Sequence, residues 1–584
     1  PSVILKIKTV APLSRLTDIS VQASNEKEDE YLILTSPFAD IYINGNYDYA
    51  TIAQSVTNLI GSKLPTLPNL PPVNHSANNN FSIQAIITDT EALNELFGIP
   101  MTINMPVAIE GMIRDKEHTV DLTCSLPSFI YDGNKYADGY VRLTTPNDTL
   151  KADVSVKRLF EDDRGPSIKL KATAADNKLT TELSYRNDAT KLPVTGQLNT
   201  DSYFYKGMDG QATAHVNVLP SSISLGDTRW DIQPSNIIYK KNHLSVNQFA
   251  IRHGAQYITI NGTGSPSNED SLEVDLRDVD VAYVLDLVNF HSVDFSGKAS
   301  GKAFISALFG TPDAKAKLNV EDFHFEEGRM GVLHANVGYD PGQGKIDIEA
   351  VADDGPEHQT VIAGNVSPKH NTIDLSIIAQ GTRLEFLRSF CGSFLGDIEA
   401  WGKGRVSLIG ELDNINLVGG ITAHGKARVT PLEVDYSFDN LQVKAIPDEI
   451  IFLDDSIFDR DRHYGILSGS IHHKHLTNLT YDLSVEAHNL LSYNTREFGD
   501  NTFYGTVYAD GRCGIHGKAG ETVIDIDVTP RPGSQIVYNV ASPEYMGEED
   551  FIEWNDITPT DSAAIDTTPR NGQKELAELP SDLY

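Results

Sequence analysis

Apolar and polar residues alternate with period two along much of this chain. In Ile168-Lys169-Leu170-Lys171-Ala172, in Lys345-Ile346-Asp347-Ile348-Glu349-Ala350 and in Ile524-Asp525-Ile526-Asp527-Val528, every second side chain is aliphatic. The residues between them are charged or polar. A strand points successive side chains to opposite faces, so each run carries one aliphatic and one charged face. The stretch from Gly402 to Leu417 follows the same rule, with Val406 and Leu408, then Ile415 and Leu417, as its apolar set. Its glycines are expected to sit at turns between short strands.

The pattern recurs. Gly264, Gly364 and Gly469 each precede a turn and then Leu272-Glu273-Val274-Asp275-Leu276, Ile373-Asp374-Leu375-Ser376-Ile377 and Tyr481-Asp482-Leu483-Ser484-Val485. The steps are 364 − 264 = 100 and 469 − 364 = 105 residues. Glycines 301, 404 and 511 repeat at 404 − 301 = 103 and 511 − 404 = 107. Such regularity implies stacked units that bury apolar faces against their neighbours.

Helical spacing is rarer. Ile52, Val56, Leu59 and Ile60 predict an amphipathic helix within 47–63. Prolines 65, 68, 71 and 72 make 64–73 an irregular linker. Short helices are expected over 91–97, 281–290 and 384–394, while 490–498 is ambiguous. Asp132-Gly133, Asp138-Gly139 and Asp176-Asn177 read as turns. The fold class is therefore all-β: an elongated, repetitive antiparallel sheet with a few short amphipathic helices. Four segments follow: 1–100 with the helix and linker, 101–240 as a β-groove segment, 241–540 as degenerate repeats of ~100 residues, and an acidic tail over 541–584. At ~12 residues per strand and turn, the chain would form about 45 strands and extend on the order of 200 Å.

Charge narrows the function. The 584 residues include 81 acidic and 47 basic side chains, a net charge of −34. That field disfavours nucleic acid and anionic membrane surfaces. No run of 18 apolar residues is present, so no transmembrane helix is expected. Residue 1 is proline and no signal peptide is visible. The chain is thus expected to be an excised piece of a longer protein, with any membrane anchor outside it. Cys124, Cys391 and Cys513 are far apart and form no metal motif or disulfide framework.

Candidate chemistry is thin. His472, His473 and His475 are the densest histidine group, and on a strand His473 and His475 would share a face. No nearby acid or cysteine completes a ligand set, so a solvated edge is expected. Asp454-Asp455 and the run 459–461 lack calcium-loop spacing and are expected to be a solvated turn. Gly262-Thr263-Gly264 and Gly402-Lys403-Gly404 precede no helix, so neither is a phosphate loop. No nucleophile motif is present. The expectation is a non-enzyme with no metal and no cofactor, beyond a phospholipid or detergent molecule that an aliphatic face could bind.

The aliphatic faces admit two readings. They could fill a closed sandwich core, or they could line an open groove. The groove reading assigns Ile168, Leu170, Leu272, Val274, Leu276, Ile346, Ile348, Ile373, Leu375, Ile377, Val406, Leu408, Leu483, Val485, Ile524, Ile526 and Val528 as lining. Strand follows strand for some 400 residues without a linker, and the other faces are strongly charged, which favours the groove.

The pattern from Ser296-Gly297-Lys298-Ala299-Ser300-Gly301 to Leu308-Phe309-Gly310-Thr311-Pro312-Asp313 resembles the recurring glycine unit of the TamB family, in the AsmA-like group. So does Phe503-Tyr504-Gly505-Thr506-Val507-Tyr508-Ala509-Asp510-Gly511, followed by Ile515-His516-Gly517. The resemblance covers roughly 240–555 and includes what looks like the opening of the family's C-terminal domain. The family's N-terminal anchor and the end of that domain are not in this chain. The resemblance implies a periplasmic bridge, anchored to the inner membrane: an antiparallel sheet curled into a U-shaped groove that carries phospholipids towards the outer membrane. It also implies an Omp85-type barrel partner. Two other readings stay open: a chaperone or scaffold for outer-membrane barrel assembly, and a filled β-solenoid stalk or adhesin.

Overall fold

The computed structural model describes residues 3–538, except 8–18, 27–28, 75–76, 92–93, 95–99, 161, 190–191, 284–293, 392–393, 413, 475–476, 499–502 and 519–520. The expected acidic tail over 541–584 lies outside the described residues, as do residues 284–290 of the expected helix over 281–290 and most of that over 91–97. The described residues form 35 strands in one sheet, and every pairing in it is antiparallel. The sheet is a pure meander. Four pairs of consecutive strands are halves of single long ones, each pair lying against the same neighbour. They are Met101–Ile103 with Val107–Arg114, Ala212–Val218 with Ser221–Leu225, Thr228–Ile232 with Ser235–Lys240, and Glu521–Pro530 with Gln535–Tyr538. Each interruption contains a proline, at 106, 220, 234 or 532. Proline has no N–H to give the ladder, so the strand breaks there and resumes beyond. Counted this way the sheet has 35 − 4 = 31 rungs. Each rung pairs only with those before and after it in sequence.

This corrects the expected strand count. The strands are longer than a 12-residue repeat allows; Leu395–Glu411 has 17 residues and Thr477–Thr495 has 19. Thirty spacings of ~4.8 Å give a contour of about 140 Å, shorter than anticipated.

Five of the six glycines of the repeat lie inside strands rather than at corners. Gly404 lies inside Leu395–Glu411 and Gly364 inside Gln359–Ser367, with φ +151° and +148°. A Cβ on Gly404 would stand 2.3 Å from the Gly420 carbonyl oxygen, and one on Gly364 2.0 Å from that of Asp374. The neighbouring strand comes too close for any side chain. Glycine kinks of this kind curl a sheet. The same clash recurs at Gly301, Gly469 and Gly511, whereas Gly264 ends the strand Gln256–Gly264 and a Cβ there would meet the Leu308 side chain. The repeat is therefore a repeat of bends. Asp176-Asn177 does form a two-residue turn, with both φ values positive. Asp138-Gly139 instead lies inside Asn134–Thr144, opposite a register shift, as a bulge.

Helices are few. Helix α1 spans Ser55–Lys63, preceded by a 3₁₀ turn at Ile52–Gln54. The expected single helix over 384–394 is a 3₁₀ turn, Glu385–Leu387, and a four-residue helix α2, Arg388–Cys391. Residues 490–495 belong to a strand. No helix among the described residues is long and apolar enough to cross a membrane.

Candidate functional site: an apolar trough along the sheet

Residues directly opposite in an antiparallel pair share a face, so pairing carries a residue type from strand to strand. One row runs Ile232, Ile251, Ile258, Leu276, Gly301, Leu318, Ala335, Ala350, Ile362, Ile377, Val406, Gly419, Ala445, Ile450, Ile471, Tyr481 and Gly517. It crosses 17 successive rungs, and only the tyrosine carries a polar atom. Two residues along each strand, a parallel row runs Phe249, Ile260, Val274, Ala303, Ala316, Val337, Ile348, Gly364, Leu375, Leu408 and Leu417. The N-terminal strands do the same. Leu5, Val21, Leu34, Ile41, Ala85, Ile109, Cys124, Val141, Val154, Leu170, Leu183 and Leu198 stand opposite one another in turn.

The intervening positions form the other face, and there the charge sits. Glu273, Lys315, Asp347 and Asp374 fall on one such row. Lys302 pairs across strands with Glu273 and Asp275, Lys298 with Asp280, and Lys178 with Asp201. The anticipated lining residues all lie on the apolar face, and the register aligns them across neighbouring strands.

Their burial is graded. Every residue of the row from Phe249 to Leu417 is half-buried, neither sealed nor fully exposed. Leu272 and Leu483, by contrast, are buried at 6% and 7% exposure, so they are covered. Ile168 at 42% and Ile526 at 62% stand open. Ile526 is on the last described full-length strand, where no further strand wraps over it.

The cover comes from the two edges. An unbroken meander sends its connections alternately to one edge and the other. One edge is capped in the C-terminal half. There the segment 384–394 packs Leu384 and Phe386 on Ile398, Ala400 and Ala423, and the turn 430–433 leads into Val434, buried against Leu490 and Leu491. On the opposite edge, the C-terminal half has short turns such as 341–344 and 368–371. The N-terminal half of that edge differs. Its connection 47–79 carries α1, and Leu59 and Leu64 are 3% and 4% exposed against Ile43, Phe81, Ile113, Val120, Leu150, Ala174 and Phe204.

Polar bonds hold this segment. Asp115, 7% exposed, accepts hydrogen bonds at Oδ2 from Ser55 Oγ at 3.2 Å, from Asn79 N at 3.2 Å and from Asn79 Nδ2 at 3.0 Å. Thr66 donates from N and Oγ1 to Asn177 Oδ1 at 3.0 and 2.9 Å, and Asn177 N donates to Lys63 O at 2.9 Å. Lys63, almost wholly buried, pairs with Asp148. The hydrogen bond and charge of Lys63 hold the Asp148 carboxyl below its usual pKa. Sequence spacing revealed the helix but not its seat on the trough, since an amphipathic period reports an apolar face and not what that face meets.

The remaining candidate chemistry is structural. Among the described residues, Asp459, Asp461 and His463 are the one group close enough to hold a metal ion. Asp459, 2% exposed, is saturated by the protein. Its Oδ1 accepts from Asp461 N and His463 N at 2.9 Å, and its Oδ2 accepts from Leu491 N at 2.8 Å, with His463 Nδ1 at 3.1 Å. The expected solvated turn is thus corrected: Asp459 is a buried knot tying its own turn to the strand Thr477–Thr495, and Asp455 is buried inside Glu449–Phe458. His473 is buried rather than on a solvated edge, and His475 lies outside the described residues. Burial pushes the Cys391 thiol up to about 11 and raises Cys124 and Cys513, which disfavours a reactive thiolate at each.

The chain matches no protein-family model, no curated protein and no solved structure.

Proposed function

We propose that this chain is a lipid conduit: acyl chains lie on the apolar trough and the charged face keeps the sheet in water. The observation that carries the reading is the row from Ile232 to Gly517, which crosses 17 rungs without a charged residue. A hydrocarbon chain sliding along it meets no charged barrier. Each methylene removed from water contributes ~0.8 kcal/mol, so covering ten offsets about 8 kcal/mol of the cost of leaving a bilayer. A half-buried, unsealed face suits a cargo that must be exchanged, whereas a sealed core suits a stalk. On this reading the chain is not an enzyme and needs no cofactor. Its glycine pattern supports placing it with TamB-like bridges, in the periplasm and anchored to the inner membrane by a segment outside this chain. Phospholipid is its cargo and an Omp85-type barrel its outer-membrane partner.

The test is direct. The purified chain, incubated with vesicles of phosphatidylethanolamine and phosphatidylglycerol and re-isolated, should carry phospholipid in native mass spectra. Recovery of a lipid-free chain at every vesicle concentration overturns the reading.

A second reading has its own observation. The last described full-length strand, Glu521–Pro530, has no neighbour on its outer edge among the described residues, and Val523 and Ile526 are 54% and 62% exposed. An edge of this kind accepts an added strand, which a scaffold for nascent barrel proteins would use. Binding of unfolded barrel protein that survives Leu375→Asp, in a chain that takes up no lipid, would favour it.

A further inference from the structure

Helix α1 is poorly equipped to stand alone. Nine residues fall short of the ~12–15 that a helix needs in water. Its sequence Ser-Val-Thr-Asn-Leu-Ile-Gly-Ser-Lys holds three β-branched residues and an internal glycine, and no side chain caps its N-terminus. Its existence therefore depends on its seat.

That seat is half apolar and half polar. Ser55, Asn58 and Lys63 are buried beside Leu59. The polar fit is incomplete: Asn58 Nδ2 and Asp115 Oδ1 are buried without a hydrogen-bond partner. Unmade buried hydrogen bonds weaken a contact rather than fasten it. The ties to the sheet are local: Ser55 to Asp115, Lys63 to Asp148 and Asn177, Thr66 to Asn177, and Asn69 to Tyr239. Beneath lie Phe81, Ile113 and Val120, on the same apolar face that stays half-covered in the C-terminal half.

We propose that residues 48–74 are a displaceable lid, which competes with an acyl chain for the apolar seat around Phe81, Ile113 and Val120. This rests on the conduit reading and deepens it. The edge of the N-terminal half beneath the lid is closed at rest, and hydrocarbon reaches that edge only when the lid lifts. Lid and cargo are exchangeable because Leu59 and Leu64 cover the same surface that methylenes would cover. Loading then starts on the half-open rows, and passage to the lidded edge is a gated step.

A reversible lock tests this. In a chain whose three native cysteines are replaced by serine, Thr66→Cys and Asn177→Cys place a thiol pair where the lid meets the turn at 176–177. The probe is phosphatidylcholine carrying a photoreactive diazirine on one acyl chain, supplied in vesicles, with adducts mapped by mass spectrometry. We expect oxidation to lower labelling of residues 81–120 at least tenfold, reductant to restore it, and labelling around Leu375 to stay constant. Equal labelling of 81–120 in both states, or none in either, overturns the lid. Absence of labelling at Leu375 as well would instead count against the conduit reading. A second measurement does not depend on the lock. Amides 55–63 should exchange at least tenfold faster than those of Asn80–Ile87, and exchange as slow as the strand's would make α1 a permanent part of the core.

Discussion

The two halves of this sheet share one design and differ in cover. In both, apolar residues stand opposite one another from rung to rung, from Leu5 to Leu198 and from Ile232 to Gly517. In both, glycines bend the strands. Gly45, like Gly404, would drive a Cβ to 2.3 Å from a neighbouring carbonyl. The helix-bearing edge separates them. In the N-terminal half a 33-residue connection, 47–79, folds back over the face, and Phe81 and Ile113 are sealed at 4% and 5% exposure. In the C-terminal half short turns leave Leu375 and Leu408 half-open. A strand pattern thus sets which face is apolar, and a single insertion seals one edge of that face, while the row from Val21 to Leu198 stays half-buried apart from Ala85.

The strongest way to break this comparison is to place a charge on each half. Phe81→Asp buries an unpaired carboxylate and should cost about 4 kcal/mol or more. Leu375→Asp leaves the carboxylate in reach of water and should cost about 1 kcal/mol, while abolishing lipid labelling beyond that point. Urea unfolding decides, and equal losses would mean that the C-terminal half is also sealed.

Truncation gives a smaller contrast. Leu59→Ala should cost about 3 kcal/mol, because the lid and the sheet lose a buried contact that cannot relax. Leu408→Ala, on a face already half-wet, should cost about 1 kcal/mol. Chemical denaturation of both variants measures the difference.

The bends should not discriminate. Gly45→Ala and Gly404→Ala each force a side chain into positive φ against a carbonyl, and each should cost about 2 kcal/mol. A marked asymmetry in melting would show that the halves differ in curvature and not only in cover.

The smallest effect is acid-dependent. Lys63 lowers the Asp148 pKa in the folded state below 3.8, so its contribution is present above that value and fades as pH falls through the lower folded one. Below pH 3.8 the amides of α1 should exchange faster relative to those of Leu395–Glu411. Lys63→Met should remove that pH dependence.

Much of this was legible in the chain itself. Period-two alternation marks every anticipated lining residue, from Ile168 to Val528, as one face of a strand, because pleating leaves no other choice. Apart from Gly264, the glycines at the 100-residue steps mark bends, because only glycine survives where a neighbouring carbonyl comes within 2.3 Å. What alternation could not report is what lies above the apolar face. Leu272 is buried and Ile526 is exposed although their local patterns are alike. Likewise, nothing local distinguishes Asp459, locked by N–H groups from 461, 463 and 491, from a solvated aspartate. Local sequence determined the strands, their faces and their kinks, since these depend on neighbours two residues away. Cover, seat and latch were decided only by tertiary structure, since they depend on which distant connection returns to the sheet and where it comes to rest.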